Sequence, residues 1–474
     1  MTATREVFTR GMTIPHGNQP TEGPAVPTYA APHLRRVLKL RDLIFYGIVI
    51  ISPIAPVPLF GVAQQLSRGH AVTTILIAGI AMMLTAVSYG RMAAAYPSAG
   101  SAYTYVGRGL NAHLGFLAGW AMSLDYIVLP IVAVLQAALA VVRLVPQVPL
   151  AVWIVIFAAS MTFLNLRGIR STARANISLL VIMCIVIGLF VVLATRYLFH
   201  ANGWLGLISL HPFYAKQTFD LRSIATATSF AALTYIGFDG VTTLAEDVEN
   251  PRRNVLLATV LVCLFTTLFS CFQVYLAQLV WPAYNAFPNI ETAFMDVTRK
   301  VGGPSLFQAM GFTVILASFG GGLAGQVAAA RLLFGMGRDG VLPRRLFAHL
   351  DPKRSNPSFN ICLVGVLAVA GSLLLSFEHA AELLNFGAFL AFMGVNLACL
   401  KHYYFQRRGA GKRSWVIDAL VPTLGFLFCL AIWLNLPLPA KVVGGLWLLG
   451  GVTYDAIRTR GFRTPPAMLD FTEG

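Results

Sequence analysis

The chain has 474 residues, of which 57% are hydrophobic and 11% charged, and its formal charge is +16. Soluble domains carry about 25% charged residues, and a soluble fold of this length cannot hide so much apolar surface from water. That excludes a large soluble α-protein and leaves a chain surrounded by lipid.

Residues 1–34 are polar and rich in Pro, Gly and Thr, and are expected to form a disordered cytoplasmic tail. A membrane span needs about 20 apolar residues. Runs that meet this lie near 42–66, 71–95, 113–142, 148–166, 175–198, 223–247, 255–281, 305–335, 359–377, 380–402, 415–435 and 440–457, which is twelve. The expectation is an all-α polytopic membrane protein with both termini in the cytoplasm and a second tail at 461–474. With Met1 inside, 27 of the 35 Lys and Arg fall on the cytoplasmic side and 8 on the other. This is the positive-inside bias, so the basic balance reports topology and anionic headgroups rather than a nucleic-acid partner.

Two spans are not clean helices. In the first, Ile51-Ser52-Pro53-Ile54-Ala55-Pro56-Val57-Pro58 carries three prolines ahead of Gly61. Each deletes a backbone donor and clashes with the preceding turn, which rules out one continuous helix. In the sixth, Tyr235-Ile236-Gly237-Phe238-Asp239-Gly240 interrupts an apolar run with two glycines and an acid. Freed backbone groups are tolerated in a bilayer only where protein or a water-filled cavity surrounds them. With five spans per unit, spans one and six are equivalent positions in two repeats of opposite topology, and broken helices at such positions mark a solute site near the midplane. Two unrelated Pro/Gly kinks are the alternative, since such kinks are common in membrane helices.

The third span contains an acid, Asp125, roughly a third to halfway along it. An ionised carboxylate there costs at least about 2.5–3.5 kcal/mol, so it should face the bundle interior and have a partner. The candidates are the ammonium of a cationic solute, a coupling proton favoured by desolvation, or a hydrogen bond that holds span three in place. Asp239 sits in the sixth-span break, where its side chain can cap the restarted helix. Carbonyls from Tyr235 to Phe238 are candidates to receive a substrate amine. Tyr126, Tyr235 and Phe238 are candidate walls, worth about 0.5–2 kcal/mol of cation–π attraction, or else ordinary packing. The first break contributes Ser52, Ile54 and Ala55 to the candidate site. Glu246, Asp247 and Glu249, with Arg252, Arg253, Arg331 and Arg338, form either a cytoplasmic closing network or a solvated boundary, where surface pairs contribute little. The six cysteines (Cys184, Cys263, Cys271, Cys362, Cys399, Cys429) lie within apolar runs and fit neither a metal site nor a disulfide framework. No metal and no cofactor is expected.

Three segments resemble the amino acid–polyamine–organocation transporter superfamily. They are Tyr96-Pro97-Ser98-Ala99-Gly100-Ser101 with Gly115-Phe116-Leu117-Ala118-Gly119-Trp120, then Gly237-Phe238-Asp239 running to Arg253, and Ala330-Arg331-Leu332-Leu333-Phe334-Gly335 running to Pro343. Leu124-Asp125-Tyr126, Val241-Thr242-Thr243-Leu244 and Asn385-Phe386-Gly387-Ala388 are most similar to the bacterial putrescine importer branch. The resemblance covers residues 35–460 and implies a LeuT-type fold: 42–198 and 223–402 as 5+5 inverted repeats with broken helices 1 and 6, and helices 11 and 12 at 415–457. It further implies a bacterial inner-membrane permease importing a small amine, putrescine or a relative, by alternating access driven by a proton or sodium gradient. An amino acid permease or antiporter of the same fold is the alternative.

Two departures from that pattern bear on substrate and ion. Amino-acid members cradle a carboxylate with a glycine-rich first break, whereas Pro53, Pro56 and Pro58 contribute no N–H here; this favours an amine lacking an α-carboxylate. Some proton-coupled members place a lysine in helix five where Met183 stands, so the residues left for coupling are Asp125 and the hydroxyls of Ser52 and Ser318. Rival classes fare worse. No His-Glu-x-x-His or Gly-x-Ser-x-Gly motif suggests an intramembrane enzyme, and no repeated filter segment suggests a channel.

Overall fold

The computed structural model describes residues 38–97, 101–167, 173–245, 248–338, 340, 342–351, 356–406 and 414–466. The expected N-terminal tail lies outside the described residues.

The first apolar run forms two short helices, α1 (Leu40–Ile51) and α2 (Phe60–Leu66), separated by the proline-rich turns. Next come α3 (Ala71–Ala95), a short α4 (Ser101–Gly109) in the following connection, and α5 (Ala112–Leu144). The 33 residues of α5 absorb Pro130 without ending. After α6 (Leu150–Leu166) and α7 (Ala173–Asn202), α8 (Leu221–Ala231) runs into 3₁₀ turns over 232–235 and 238–244, so the sixth run is broken too. Then follow α9 (Pro251–Val280), α10 (Ala293–Arg338), the single turn α11 (Arg344–Phe347), α12 (Ser358–Leu374) and α13 (Phe377–Leu400). The last two helices are α14 (Val421–Leu434) and α15 (Leu438–Arg458).

The long helices satisfy their own backbone, which a bilayer demands. Among the described residues, seven helical stretches are long and apolar enough to cross a membrane: α3, α5, α7, α9, α10, α13 with its continuation to Gln406, and Val416–Leu434. The broken runs are absent from that set because each is cut in two. α7 shows the packing logic. Met183, Ile187, Phe190, Ala194 and Leu198 are buried at helical spacing, while Ile177, Val181, Ile185, Leu189 and Val192 are exposed on the other face. A helix apolar on both faces, with one face bare, suits lipid rather than water. The molecule is a multi-pass membrane protein.

α10 departs from the expected span at 305–335. It starts at Ala293 and kinks at Gly303 (φ +67°) beside Pro304, so the span is the part after the kink. The first part holds Asp296, Arg299 and Lys300, and its polarity disguised it as a loop. Asp296 pairs with Arg143 of α5.

Inside the bundle, α5 lies along α10 and α13, and α3 lies along α9. The breaks meet where Gly237 (φ +106°) comes against Ile50 in the last full turn of α1. At one end of the bundle Arg91 pairs with Asp418, His113 with Asp455 at 2.8 Å, and the Leu38–Val248 bridge ties the chain before α1 to the loop after the second break. At the other end Tyr275 receives the Ser209 N–H at 2.8 Å.

There the Asp220 carboxylate caps α8, accepting the Ser223 N–H at 2.8 Å and its hydroxyl at 2.7 Å. The Ser223 hydroxyl and amide hold Asp220 below its ordinary value of 3.8. A depressed folded value adds stability that is complete above 3.8 and lost as pH falls through the folded value. Asp220→Ala should therefore lower the thermal midpoint at neutral pH, and its gap from wild type should close in acid; a gap that stays constant with pH would remove the charged cap.

Candidate functional site

The first break is a run of turns rather than a helix. Ser52 takes φ +71° and closes α1 by donating its N–H to Ile48 O at 3.0 Å. Beyond it, Ala55 N–H bonds to Ser52 O, Val57 N–H to Ile54 O and Leu59 N–H to Pro56 O, and the prolines have no N–H to offer. Among the described residues, that leaves without an acceptor the Ile54 amide and, at the start of α2, those of Phe60, Gly61 and Val62. The Pro53 carbonyl receives Gln273 Nε2 at 3.0 Å, which fixes the break against α9.

In the second break, Ile236 is extended and Gly237 is left-handed, a conformation that glycine adopts without steric cost. Gly237 O accepts from Gly240 N–H at 3.0 Å, whereas the Tyr235 and Ile236 carbonyls accept no hydrogen bond among the described residues. Asp239 lies in the first turn of the restarted helix, with its carboxylate near the amides of Gly237, Asp239 and Gly240.

Asp125 is 8% exposed, and so is Asp239. Neither takes part in an ion pair among the described residues, and no side-chain hydrogen bond reaches Asp125 there. The Asp239 carboxylate lies close enough for its charge to bear on Asp125, and Tyr46, Tyr89 and Tyr126 lie in the same field. Asp125 is positioned by the crossing of α5 and α13. Gly387 presses on that turn so closely that a methyl group there would sit 2.4 Å from Ala121 O and 3.3 Å from Asp125 N.

The other candidate residues divide into walls and distant groups. Tyr126 is partly buried beside Asp125. Tyr235 is wholly enclosed and its hydroxyl donates to Ile75 O at 2.8 Å. Phe238 is enclosed too, with its ring 5.4 Å from Tyr89 and 5.2 Å from Phe392. Both rings therefore shape the site from behind. Ser52 donates to Met183 Sδ at 3.4 Å, and Ser318 to Gln136 Oε1 at 3.1 Å, so the two hydroxyls look to different partners. Arg331 and Arg338 are exposed at the end of α10, while Glu246 and Asp247 lie outside the described residues.

A cleft of about 320 Å³ opens beyond the first break, between Val57, Pro58, Gln136, Leu139, Glu291 and Phe377. Sequence reasoning missed Tyr46, Gln136 and Glu382. The last had a usable signal, because it is an acid inside the expected tenth span, where Asp125 had already been singled out by the same rule.

The amino acid permease family model matches residues 43–453. The low-affinity putrescine importer PlaP of Escherichia coli is 32% identical over 446 residues, covering 93% of this chain and 97% of that protein. The branched-chain amino acid permease BcaP of Lactococcus lactis is 26% identical, covering 89% of this chain and 94% of the relative. A manganese transporter from Eremococcus coleocola shares the fold, with a TM-score of 0.53 at 12% identity, over 89% of this chain and 95% of that one. These relatives are transporters rather than enzymes, and the chain belongs to the amino acid permease family of the amino acid–polyamine–organocation superfamily.

Proposed function

We propose that this protein is a secondary active transporter that imports a small organic amine, putrescine or a related polyamine, by alternating access. The observation that carries the reading is a pair of buried carboxylates, Asp125 and Asp239, beside two helix breaks and without a cation of the protein's own among the described residues. Buried charges are paired. Here an arriving ammonium supplies the partner, and the open Tyr235 and Ile236 carbonyls receive its remaining protons. Pro53, Pro56 and Pro58 withhold three amides from the first break, which makes it a poorer cradle for a carboxylate and supports an amine over an α-amino acid. The putrescine importer among the relatives points the same way. An amino acid permease is the second reading, supported by the branched-chain relative.

In this reading twelve spans cross the cytoplasmic membrane of a bacterium, with spans 1–5 and 6–10 as inverted repeats whose broken members meet at Gly237. The end rich in Arg and Lys, including Arg41, Arg91, Arg167, Arg252, Arg331 and Arg344, faces the cytoplasm with both termini. Arg331 and Arg338, with Glu246 and Asp247, form the inner gate. The coupling ion is a proton, and the Asp125–Asp239 pair divides the two roles, one carboxylate ionised against the ammonium while the other carries the proton.

Proteoliposomes containing the purified protein should accumulate radiolabelled putrescine saturably, with excess amino acids competing poorly. Saturable uptake of a zwitterionic amino acid that putrescine does not inhibit would replace this reading with the second.

A further inference from the structure

A second group of acids lies beside the cleft, with Glu291 in its lining, at the end of the bundle away from the basic loops. α13 opens with Phe377 in the cleft wall. Glu378 and Glu382 follow four residues apart, hence on one face of the helix. Asn385 continues that face and donates to Ser229 O of α8 at 2.8 Å, which turns the face towards α8. Phe230 of α8 meets Phe377 edge-on at 6.3 Å, so the two helices pack on each other at this level.

Glu382 is 2% exposed. Among the described residues neither of its oxygens takes a hydrogen bond or an ion pair, and Oε2 is fully enclosed. The Glu378 carboxylate bears on Glu382 from one side and on Glu291 from the other, and Glu291 lines the cleft. Burial, and then Glu378, push Glu291 above the ordinary carboxylate value. The one group of potential positive charge in the cluster is His379, beside Glu378 and bonded to the Ser376 hydroxyl at 2.8 Å. Arg143, at the same end, is committed to Asp296.

Glu378 stands within charge reach of both Glu291 and Glu382, and a buried, unpartnered carboxylate such as Glu382 is destabilising unless a proton or another cation joins it. We propose that Glu291, Glu378 and Glu382 form a cation-accepting subsite at the cleft that holds an organic ammonium group ahead of the Asp125–Asp239 pair. The proposal rests on the amine reading of the main site. The surroundings favour an ammonium over a metal ion. Val57, Leu139, Phe294 and Phe377 offer an apolar wall to an alkyl chain, whereas a hard cation asks for six or more oxygens. From Glu382 to Gly387, which touches the Asp125 turn, is five residues, or about 7.5 Å along the helix axis. The subsite thus lies one to two helical turns outward of the main carboxylates, and the cation advances from one acidic level to the next.

The test measures initial rates of putrescine uptake in proteoliposomes at several ionic strengths. Compared are wild type, the double variant Glu291→Gln/Glu378→Gln, and Glu382→Gln. Expected in the double variant is a KM raised roughly two- to fivefold, the weight of about one partly exposed charge pair, with a smaller change in Vmax. Its KM should also depend less on salt than that of wild type, because screening acts through the charges removed. Glu382→Gln should raise KM at least as much. Glu291 and Glu378 are only partly buried, so the double variant decides the matter even if Glu382→Gln fails to fold. Normal wild-type uptake with KM and salt dependence unchanged in the double variant overturns the subsite and leaves the amine reading intact. Wild type that carries no amine at all overturns both.

Discussion

Asp125→Asn is expected to weaken putrescine binding at least about 25-fold. Removing one partner of a desolvated, hydrogen-bonded charge pair costs about 2–5 kcal/mol, and each 1.4 kcal/mol is a factor of ten. Asparagine keeps the shape and can still hydrogen-bond, so the substitution removes the charge and little else. The competing role, a hydrogen bond that holds α5 in place, has no partner for Asp125 to bond with among the described residues. The measurement is equilibrium binding of labelled putrescine to purified protein, alongside uptake at several pH values. An unchanged dissociation constant would take Asp125 out of the binding site, and uptake with unchanged pH dependence would take it out of coupling. Asp239→Asn should behave differently. Its carboxylate faces the amides of Gly237, Asp239 and Gly240, so loss of the charge should loosen the break as well as weaken the ligand.

These two acids also show what can be read directly from the chain. An ionisable group in an apolar run is costly, so Asp125 and Asp239 stand out before any coordinates exist. The breaks stand out for the same reason, since three prolines and a Gly-Phe-Asp-Gly segment contradict their surroundings. Contacts between distant segments were not legible. Nothing in the pattern announces that Tyr235 would spend its hydroxyl on Ile75 O, or that Met183 would lie against Ser52. Side-chain direction fails in the same way. Phe238 reads as a wall of the site, yet its ring is enclosed between Tyr89 and Phe392. Helix ends were misread where the sequence turns polar before the helix stops, as in α10 ahead of Gly303.

Gly237→Val should be strongly damaging at the second break. Gly237 holds φ +106°, and a Cβ there would sit 2.5 Å from Ile50 Cγ2. A left-handed backbone costs a residue with a side chain about 1–2 kcal/mol, and overpacking adds typically about 1–3 kcal/mol. The strain has two ways out. Either Gly237 flips and redirects the Tyr235 and Ile236 carbonyls, or α1 moves away and takes the Ser52 turn with it. Both displace the groups around the carboxylates, so uptake should fall at least tenfold while the thermal midpoint drops. Gly240→Ala is the control, because a Cβ there meets only the Ile50 Cδ1 at 3.1 Å, the far end of a flexible chain, and its backbone angle is ordinary. It should keep most of its uptake. Equal losses in the two variants would mean that general packing against Ile50, rather than the left-handed turn at Gly237, holds the two breaks in register. Loss in Gly237→Val alone would tie transport to that turn, the point where the interruption of one broken helix is braced on the other.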